Sequence, residues 1–84
     1  MKSRAKLQNI ISPYELVSKA LGCAPNSLGL DSGLGGHPNW DSFGHLEVMM
    51  ALEEKYGIEI DDDTIRHFIS MGAIIELSQQ LLNK

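Results

Sequence analysis

The sequence predicts an all-α fold: a small helical bundle of three main helices and one short helix, with a long loop between the first and second helices. Three segments carry apolar residues at helical spacing, and residues typical of helix starts and helix ends flank them. The β-prone run from Ile58 to Ile60 is too short to form a sheet, and no other segment of the sequence is suited to pair with it.

The first main helix is predicted from Pro13 to Leu21. Ser12 and Glu15 have the S-x-x-E spacing of a capping box, and proline is favoured at the first helical position. Gly22 is placed to end the helix, because glycine adopts a left-handed conformation at little cost. Residues 1–11 are expected to form an N-terminal extension, whose apolar spacing indicates a helical turn that meets the main helix at a kink.

A long loop is predicted from residue 24 to residue 40, because this stretch is rich in glycine, proline, serine and asparagine. Loops of this length are unusual in a small domain and are often functional. The loop has neither the Gly-Lys-Ser/Thr of a phosphate-binding P-loop nor the preceding strand of a dinucleotide-binding loop. We expect Leu28, Leu30 and Leu34 to hold it against the core and Trp40 to anchor its end.

The second main helix is predicted from Ser42 to Tyr56, with Asp41 as its cap and Gly57 at its end. A short helix follows the run from Asp61 to Asp63, whose carboxylates suit the positive N-terminal end of a helix. The last main helix has Ser70 as its cap. Its core-facing side is expected to comprise Met71, Ile74, Ile75, Ser78, Leu81 and Leu82.

Length and composition fit one compact domain over residues 1–84, because 43% of the residues are hydrophobic and can form a core without a metal or disulfide. The single cysteine, Cys23, cannot form an internal disulfide, so a reducing compartment is acceptable. No long apolar run follows the basic N-terminus. We therefore predict neither a signal peptide nor a membrane span, and we expect a cytoplasmic location.

The net charge is −4 at pH 7, and most of the acidic side chains follow Ser42. Such a surface repels phosphate backbones, so nucleic acid is not an expected partner. A basic protein surface is a better electrostatic match, although solubility alone would also explain the charge.

The second helix carries two apolar stripes. One is expected to face the core and comprises His45, Val48, Met49, Leu52 and Tyr56. The other comprises Phe43, Leu46 and Met50, flanked by the carboxylates of Glu47, Glu53 and Glu54. Because a helix in a small bundle needs to bury only one stripe, the second is expected to be exposed and to dock basic partners. The alternative is that the long loop folds over the second stripe and buries it.

Ser42 is the candidate for chemistry. It lies in the first turn of the second helix, where backbone N–H groups lack intrahelical partners and the helix dipole is positive. A phosphate ester on its hydroxyl would be stabilised there by about 0.3–1 kcal/mol. Local chemistry permits this ester but does not require it, since Asp-Ser before a helix is also common as plain capping.

A longer pattern resembles the acyl carrier protein family. The sequence DSFGHLE at residues 41–47, followed by MALEEKYGIEI at residues 50–60, is similar to the family signature. In that signature an Asp-Ser-Leu motif opens an acidic helix, which ends at an aromatic residue before an I-x-I segment. The resemblance extends over about residues 13–82.

The resemblance implies a carrier with no catalytic residues, and the spacing of the histidines predicts no metal site. Ser42 matches the serine that receives 4′-phosphopantetheine from coenzyme A, added by a separate phosphopantetheinyl transferase with Mg²⁺, and Asp41 matches the preceding aspartate. The thiol of that arm, not Cys23, would hold acyl or aminoacyl groups as thioesters. The docking helix of the family corresponds here to Phe43, Leu46, Glu47, Met50, Glu53 and Glu54. Its implied partners are the transferase and the enzymes that load and process the cargo, with the chain acting as a monomer.

Some positions depart from the family pattern. Phe43 replaces the usual leucine, and Gly44 and His45 stand where fatty-acid-synthesis carriers tend to have an acidic and a small polar residue. With Trp40, these departures favour a specialised polyketide, non-ribosomal peptide, polysaccharide or lipid pathway, with fatty acid synthesis as the alternative. The alternative from a different functional class is an unmodified helical interaction module, which would bind a protein through the exposed stripe of the second helix.

The interior between the second helix and the last two is the expected acyl pocket, with Met49 and Ile74 as its walls. His37, His45 and His67 do not have zinc-site spacing, and His45 lies about 300° around the helix from Ser42, so a structural role is expected for His45.

Overall fold

The computed structural model describes residues 12–82, in which four α-helices form. Their bounds are Pro13–Leu21 (α1), Ser42–Tyr56 (α2), Asp62–His67 (α3) and Met71–Leu82 (α4), with a 3₁₀ turn at Pro25–Ser27 between α1 and α2. Within these residues the β-type pairing is a single isolated bridge between Gly33 and Ser70. The predicted all-α bundle of three main helices and one short helix is confirmed, whereas the predicted kink before Pro13 lies outside the described residues.

Glycines end the first two helices, as predicted. Gly22 and Gly57 adopt left-handed conformations with φ of 72° and 74°, which cost a residue without Cβ little. The N–H of Gly22 donates to the carbonyl of Ser18, and that of Gly57 donates to the carbonyl of Glu53. Each helix is therefore closed by its own last turn.

Side chains cap the starts of α2, α3 and α4. Asp41 accepts from the N–H of Gly44 at 2.8 Å, Asp61 accepts from that of Thr64 at 2.8 Å, and Ser70 accepts from that of Ala73 at 3.3 Å. At α3 the bonding is reciprocal, because the Asp61 N–H also donates to the Thr64 hydroxyl at 3.0 Å.

The capping box predicted from Ser12 and Glu15 is wrong, because Ser12 makes no capping hydrogen bond with its side chain. Pro13 supplies the physical reason. Proline already fixes the helical φ at the first position and has no N–H to satisfy, so α1 begins without help from the serine hydroxyl.

The core lies between α1, α2 and α4 and includes the end of the long loop. Trp40 is fully buried in it, which confirms its predicted anchoring role. The loop is also held by backbone hydrogen bonds, from the Leu34 N–H to the Ile69 carbonyl (2.8 Å) and from the Met71 N–H to the Ser32 carbonyl (2.9 Å). The buried apolar residues are Leu16, Val17, Leu21, Leu28, Trp40, Val48, Met49, Leu52, Tyr56, Phe68, Met71 and Ile74.

Three leucines predicted to face the core do not. Leu30 and Leu34 are 63% and 43% exposed, and only Leu28 of the loop leucines is buried. The large indole of Trp40 and the backbone bonds fix the loop without the side chains of Leu30 and Leu34. Leu82 is also exposed, because it lies at the very end of α4. None of the described helices is long and apolar enough to cross a membrane.

Candidate functional site

Ser42 is the first residue of α2 and its side chain is exposed. The preceding residue performs the capping: the Asp41 carboxylate accepts from the Gly44 N–H, and the Asp41 carbonyl accepts from the His45 N–H at 2.8 Å. Among residues 12–82 the Ser42 hydroxyl has no hydrogen-bond partner. The plain capping role that local chemistry allowed therefore belongs to Asp41, and the Ser42 hydroxyl is left for other chemistry.

The backbone around Ser42 suits an anionic ester. The N–H groups of Ser42 and Phe43 belong to the first helical turn, which supplies them with no intrahelical acceptor. Asp41 satisfies the N–H of Gly44 and leaves those two groups for another acceptor. A phosphate attached to the Ser42 hydroxyl would find backbone donors and the positive end of the dipole nearby.

A close backbone contact holds α2 against the end of α1. Asn39 donates from its side-chain nitrogen to the Leu21 carbonyl at 3.0 Å. A Cβ on Gly44 would overlap the Asn39 carbonyl oxygen and lie 2.9 Å from Cδ2 of Leu21. Glycine at position 44 is thus required by packing, a role that sequence reasoning had missed.

His45 connects three parts of the structure. The indole Nε1 of Trp40 donates to His45 Nδ1 at 3.0 Å, and His45 Nε2 lies 2.8 Å from the carbonyl oxygen of Ile65. Because Nδ1 accepts, the ring proton is assigned to Nε2, which then donates to Ile65. The predicted structural role of His45 is confirmed.

The second stripe of α2 is exposed, as predicted. Phe43, Leu46 and Met50 have exposed fractions of 73%, 51% and 53%, whereas every residue of the first stripe is buried. The alternative, in which the loop covers this surface, is wrong. Glu53 and Glu54 are exposed and Glu47 is half-buried. We call the surface formed by these six residues the α2 face.

An open groove runs between α1 and α2 and begins beside Ser42. Its first part is lined by residues that include Asn39, Asp41, Phe43 and Gly44. Its second part continues along the two helices and is lined by residues that include Leu16, Met50 and Ala51. Lys19, Ala20 and Glu47 line both parts, so the two parts adjoin each other. Sequence reasoning did not find it, because it depends on how α1 lies against α2.

The three histidines have separate surroundings. His37 accepts from the Asn39 N–H at 3.0 Å and contacts the Ser27 hydroxyl at 3.1 Å, while His67 packs edge-on against Phe68. In the part of the chain that the structure describes, no three potential metal ligands come together. Cys23 is a half-buried free thiol.

Several curated proteins are similar to this chain in sequence. The acyl carrier protein of Campylobacter hominis is 34% identical over 67 residues, which cover 80% of this chain and 85% of the relative. The acyl carrier protein of Chlamydia trachomatis serovar D is 31% identical over 68 residues, covering 81% and 88%. The chain belongs to the acyl carrier protein family. A shorter match to the acyl carrier protein of Helicobacter pylori is 42% identical over 36 residues, covering 43% and 46%. No family model matches.

Membership in this family defines the general role of the chain. Acyl carrier proteins carry cargo for synthesis enzymes and do not catalyse reactions, so this acyl carrier protein is not an enzyme. Proteins of the family generally carry a phosphopantetheine group.

Proposed function

We propose that this acyl carrier protein bears 4′-phosphopantetheine on Ser42 and carries acyl or aminoacyl groups as thioesters. The observation that carries the proposal is the division of roles at the start of α2. Asp41 caps the helix through Gly44, while the adjacent Ser42 hydroxyl is exposed and makes no hydrogen bond within residues 12–82. The proposal takes residues 1–84 as one carrier domain, monomeric and cytoplasmic.

Attachment would use the Ser42 hydroxyl oxygen as the nucleophile. The oxygen bonds to the phosphorus that bears the pantetheine arm of coenzyme A, the phosphoanhydride bond breaks, and adenosine 3′,5′-bisphosphate leaves. The hydroxyl proton passes to a base of the phosphopantetheinyl transferase, with Mg²⁺ bound by that enzyme. When bound, the group supplies a thiol that holds cargo as a thioester. The first-turn N–H groups of α2 favour the resulting phosphodiester by about 0.3–1 kcal/mol.

The α2 face is proposed as the docking surface for the transferase and for the enzymes that load and process the cargo. Phe43, Leu46 and Met50 give exposed apolar contacts along α2, beginning at the residue that follows the attachment serine. Glu47, Glu53 and Glu54 surround them with negative charge, which steers a basic partner surface toward this helix.

We also propose a specialised pathway, of the polyketide, non-ribosomal peptide, polysaccharide or lipid kind, with fatty acid synthesis as the alternative. Gly44 and His45 do not bear on this choice, because close packing and the bridge to Ile65 account for them. Phe43 supports the specialised pathway, since it replaces leucine at an exposed position that any docking enzyme would meet.

Mass spectrometry of the intact protein tests the attachment. The protein is incubated with coenzyme A, Mg²⁺ and a broad-specificity phosphopantetheinyl transferase. Wild type should gain the mass of one phosphopantetheine and Ser42→Ala should gain none. Ser12→Ala is the matched control, because Ser12 is another exposed serine at a helix start without a side-chain cap bond. It should be modified like wild type.

Two outcomes would contradict the proposal. A mass gain in Ser42→Ala would place the group elsewhere. If wild type gains no mass with several transferases, the chain acts instead as an unmodified interaction module that binds through the α2 face.

A further inference from the structure

We infer that His45 is a positioning residue for the attachment of phosphopantetheine: its bond to Trp40 holds the first turn of α2, so that the Ser42 hydroxyl keeps one orientation toward the transferase. The inference rests on the proposed attachment at Ser42. It assigns to His45 a role beyond stability, exerted through the backbone on either side of the serine rather than on the reacting atoms.

Ser42 lies at a position where helices commonly fray. It is the first residue of α2, and residues at a helix start have N–H groups without intrahelical acceptors and unfold more readily than the helix body. The α2 face begins only at Phe43. An enzyme that docks there holds the body of the helix and leaves the serine to be fixed by the carrier itself.

Three hydrogen bonds close around Ser42. The Asp41 carboxylate accepts from the Gly44 N–H at 2.8 Å, and the Asp41 carbonyl accepts from the His45 N–H at 2.8 Å. The third bond runs from the Trp40 indole to His45 Nδ1 at 3.0 Å and encloses the other two. It is buried, whereas the side-chain bond of Asp41 is only partly buried, so water competes less with the Trp40–His45 bond.

Trp40 is a firm anchor for this bond. Its ring is fully buried. Its backbone N–H donates to the His37 carbonyl at 3.0 Å, and its carbonyl accepts from the Gly35 N–H at 2.9 Å. Because its side chain and both of its backbone groups are held, the bond to His45 ties the start of α2 to the core rather than to the exposed part of the loop.

The second ring nitrogen of His45 sets the tautomer that the bond needs. Nε2 lies 2.8 Å from the Ile65 carbonyl oxygen and donates to it, which leaves Nδ1 as an acceptor for Trp40. In the other tautomer an N–H of His45 would face the N–H of Trp40. The contact with α3 therefore supports the bond that encloses Ser42.

Two amide substitutions at position 45 separate the two bonds. In His45→Asn the side-chain oxygen is attached to Cγ, as Nδ1 is in histidine, and can accept from Trp40. In His45→Gln the amide lies one atom farther out, like Nε2, and can donate to Ile65 without accepting from Trp40. We expect asparagine to retain fast attachment and glutamine to lose it.

Single-turnover kinetics measure attachment and docking separately, with transferase in excess over the carrier and with saturating coenzyme A. His45→Gln should lower the maximal attachment rate by about tenfold or more, because a misplacement of about 1 Å at a reacting group is costly. The transferase concentration that gives half of this rate should not change, since the α2 face is intact. His45→Asn should keep both wild-type values.

Val17→Ala is the matched control for stability. Val17 is fully buried in α1 and takes part in neither bond, so the variant weakens the core and should attach at the wild-type rate.

A second way of removing the bond covers the case in which His45→Gln does not fold. Trp40, the single tryptophan, is replaced biosynthetically by benzothienylalanine, in which a sulfur atom takes the place of the indole N–H. The ring keeps nearly the same shape but cannot donate to His45. This protein should show the same slow attachment.

The possible failures are distinguishable. Wild-type rates in both His45→Gln and the benzothienylalanine protein would overturn the inference and leave His45 a structural role alone. Equal slowing in Val17→Ala would overturn it in favour of lost stability, and equal slowing in His45→Asn would overturn the assignment to the Trp40 bond. A change confined to the half-saturating concentration would overturn it in favour of docking.

The attachment at Ser42 stands in each of these cases, because the wild-type protein still gains the mass of one phosphopantetheine. Absence of any mass gain in wild type with several transferases would instead overturn the attachment, and the inference with it.

Discussion

The indole nitrogen of Trp40 and the Nδ1 atom of His45 are joined by a buried hydrogen bond of 3.0 Å. Trp40 is the last buried residue of the long loop and His45 lies in the first turn of α2, so the bond fixes the loop end relative to the helix start. The other ring nitrogen of His45 continues the connection to Ile65 in α3 at 2.8 Å. Ser42 lies between these two bonded residues.

Replacing His45 by phenylalanine should destabilise the fold. Phenylalanine keeps a ring but leaves the Trp40 N–H and the Ile65 carbonyl without a partner, at a cost of about 1–3 kcal/mol for each buried group. Urea unfolding followed by fluorescence of Trp40, the single tryptophan, measures the loss. His67→Phe is the control at an exposed position. Equal midpoints for the two variants would show that the buried bridge contributes nothing to stability.

Substitution by alanine should change the stability of the fold in opposite directions at two helical glycines, Gly44 and Gly72. Gly44→Ala places a methyl group against the Asn39 carbonyl and Leu21, and overpacking of this kind costs about 1–3 kcal/mol. At Gly72 in α4 a Cβ would meet only the Ser70 hydroxyl at 3.9 Å, so Gly72→Ala should stabilise by about 0.5–1 kcal/mol. Thermal unfolding checks both, and a stabilised Gly44→Ala would contradict the close contact.

Loss of the α2 cap should be visible in stability. Asp41→Ala removes the bond to the Gly44 N–H and should cost about 1 kcal/mol. Asparagine caps nearly as well as aspartate, so Asp41→Asn should retain most of that free energy. Chemical denaturation of the two variants separates hydrogen bonding from charge. If asparagine is as harmful as alanine, the carboxylate acts through its charge rather than as the cap.

Stability should fall at alkaline pH through Tyr56. Burial raises the pKa of its phenol from 10.0 to about 12, because the ionised form is poorly solvated there. Between those values the unfolded chain loses the proton while the folded chain keeps it, so this stabilisation is complete below pH 10 and is lost as pH rises through 12. The free energy of unfolding is measured as a function of pH. In Tyr56→Phe it should not show the decrease between pH 10 and pH 12 that Tyr56 causes, whereas the control Tyr14→Phe should still show that decrease.

Charge reversal on the α2 face should weaken partner binding without unfolding the protein. Exposed ionic contacts are worth up to about 1 kcal/mol each, so Glu47→Lys with Glu54→Lys should reduce affinity for a transferase roughly tenfold at low salt. Glu15→Lys with Glu76→Lys makes the same change in net charge at exposed positions away from the face. Titration calorimetry compares the pairs. Equal weakening would assign the effect to net charge rather than to the α2 face.

Local chemistry made the helix bounds predictable from the sequence. Gly22 and Gly57 end their helices and Asp41 caps α2 because each role needs only neighbouring residues. Pro13 shows the limit of the same reasoning, since it makes the predicted capping role of Ser12 unnecessary.

Relationships across the fold were not predictable from the sequence. Ile65 accepts from His45 across a separation of 20 residues, and no periodic pattern marks a backbone carbonyl as a partner. The exposure of Leu30 and Leu34 depends on where Trp40 packs. Likewise, the groove depends on the angle and spacing of α1 and α2.

Asp41 makes the capping hydrogen bond of α2, and the Ser42 hydroxyl does not take part in it. Folding of the helix therefore does not depend on the hydroxyl that is proposed to be modified. Within residues 12–82 no core contact involves the Ser42 hydroxyl, so the proposed modification would not be needed for the chain to reach this fold. By the same reasoning, unfolding-based quality control in a cell would treat the immature and mature forms alike. If Ser42 is modified as proposed, downstream enzymes would distinguish the two forms by contact with the arm itself.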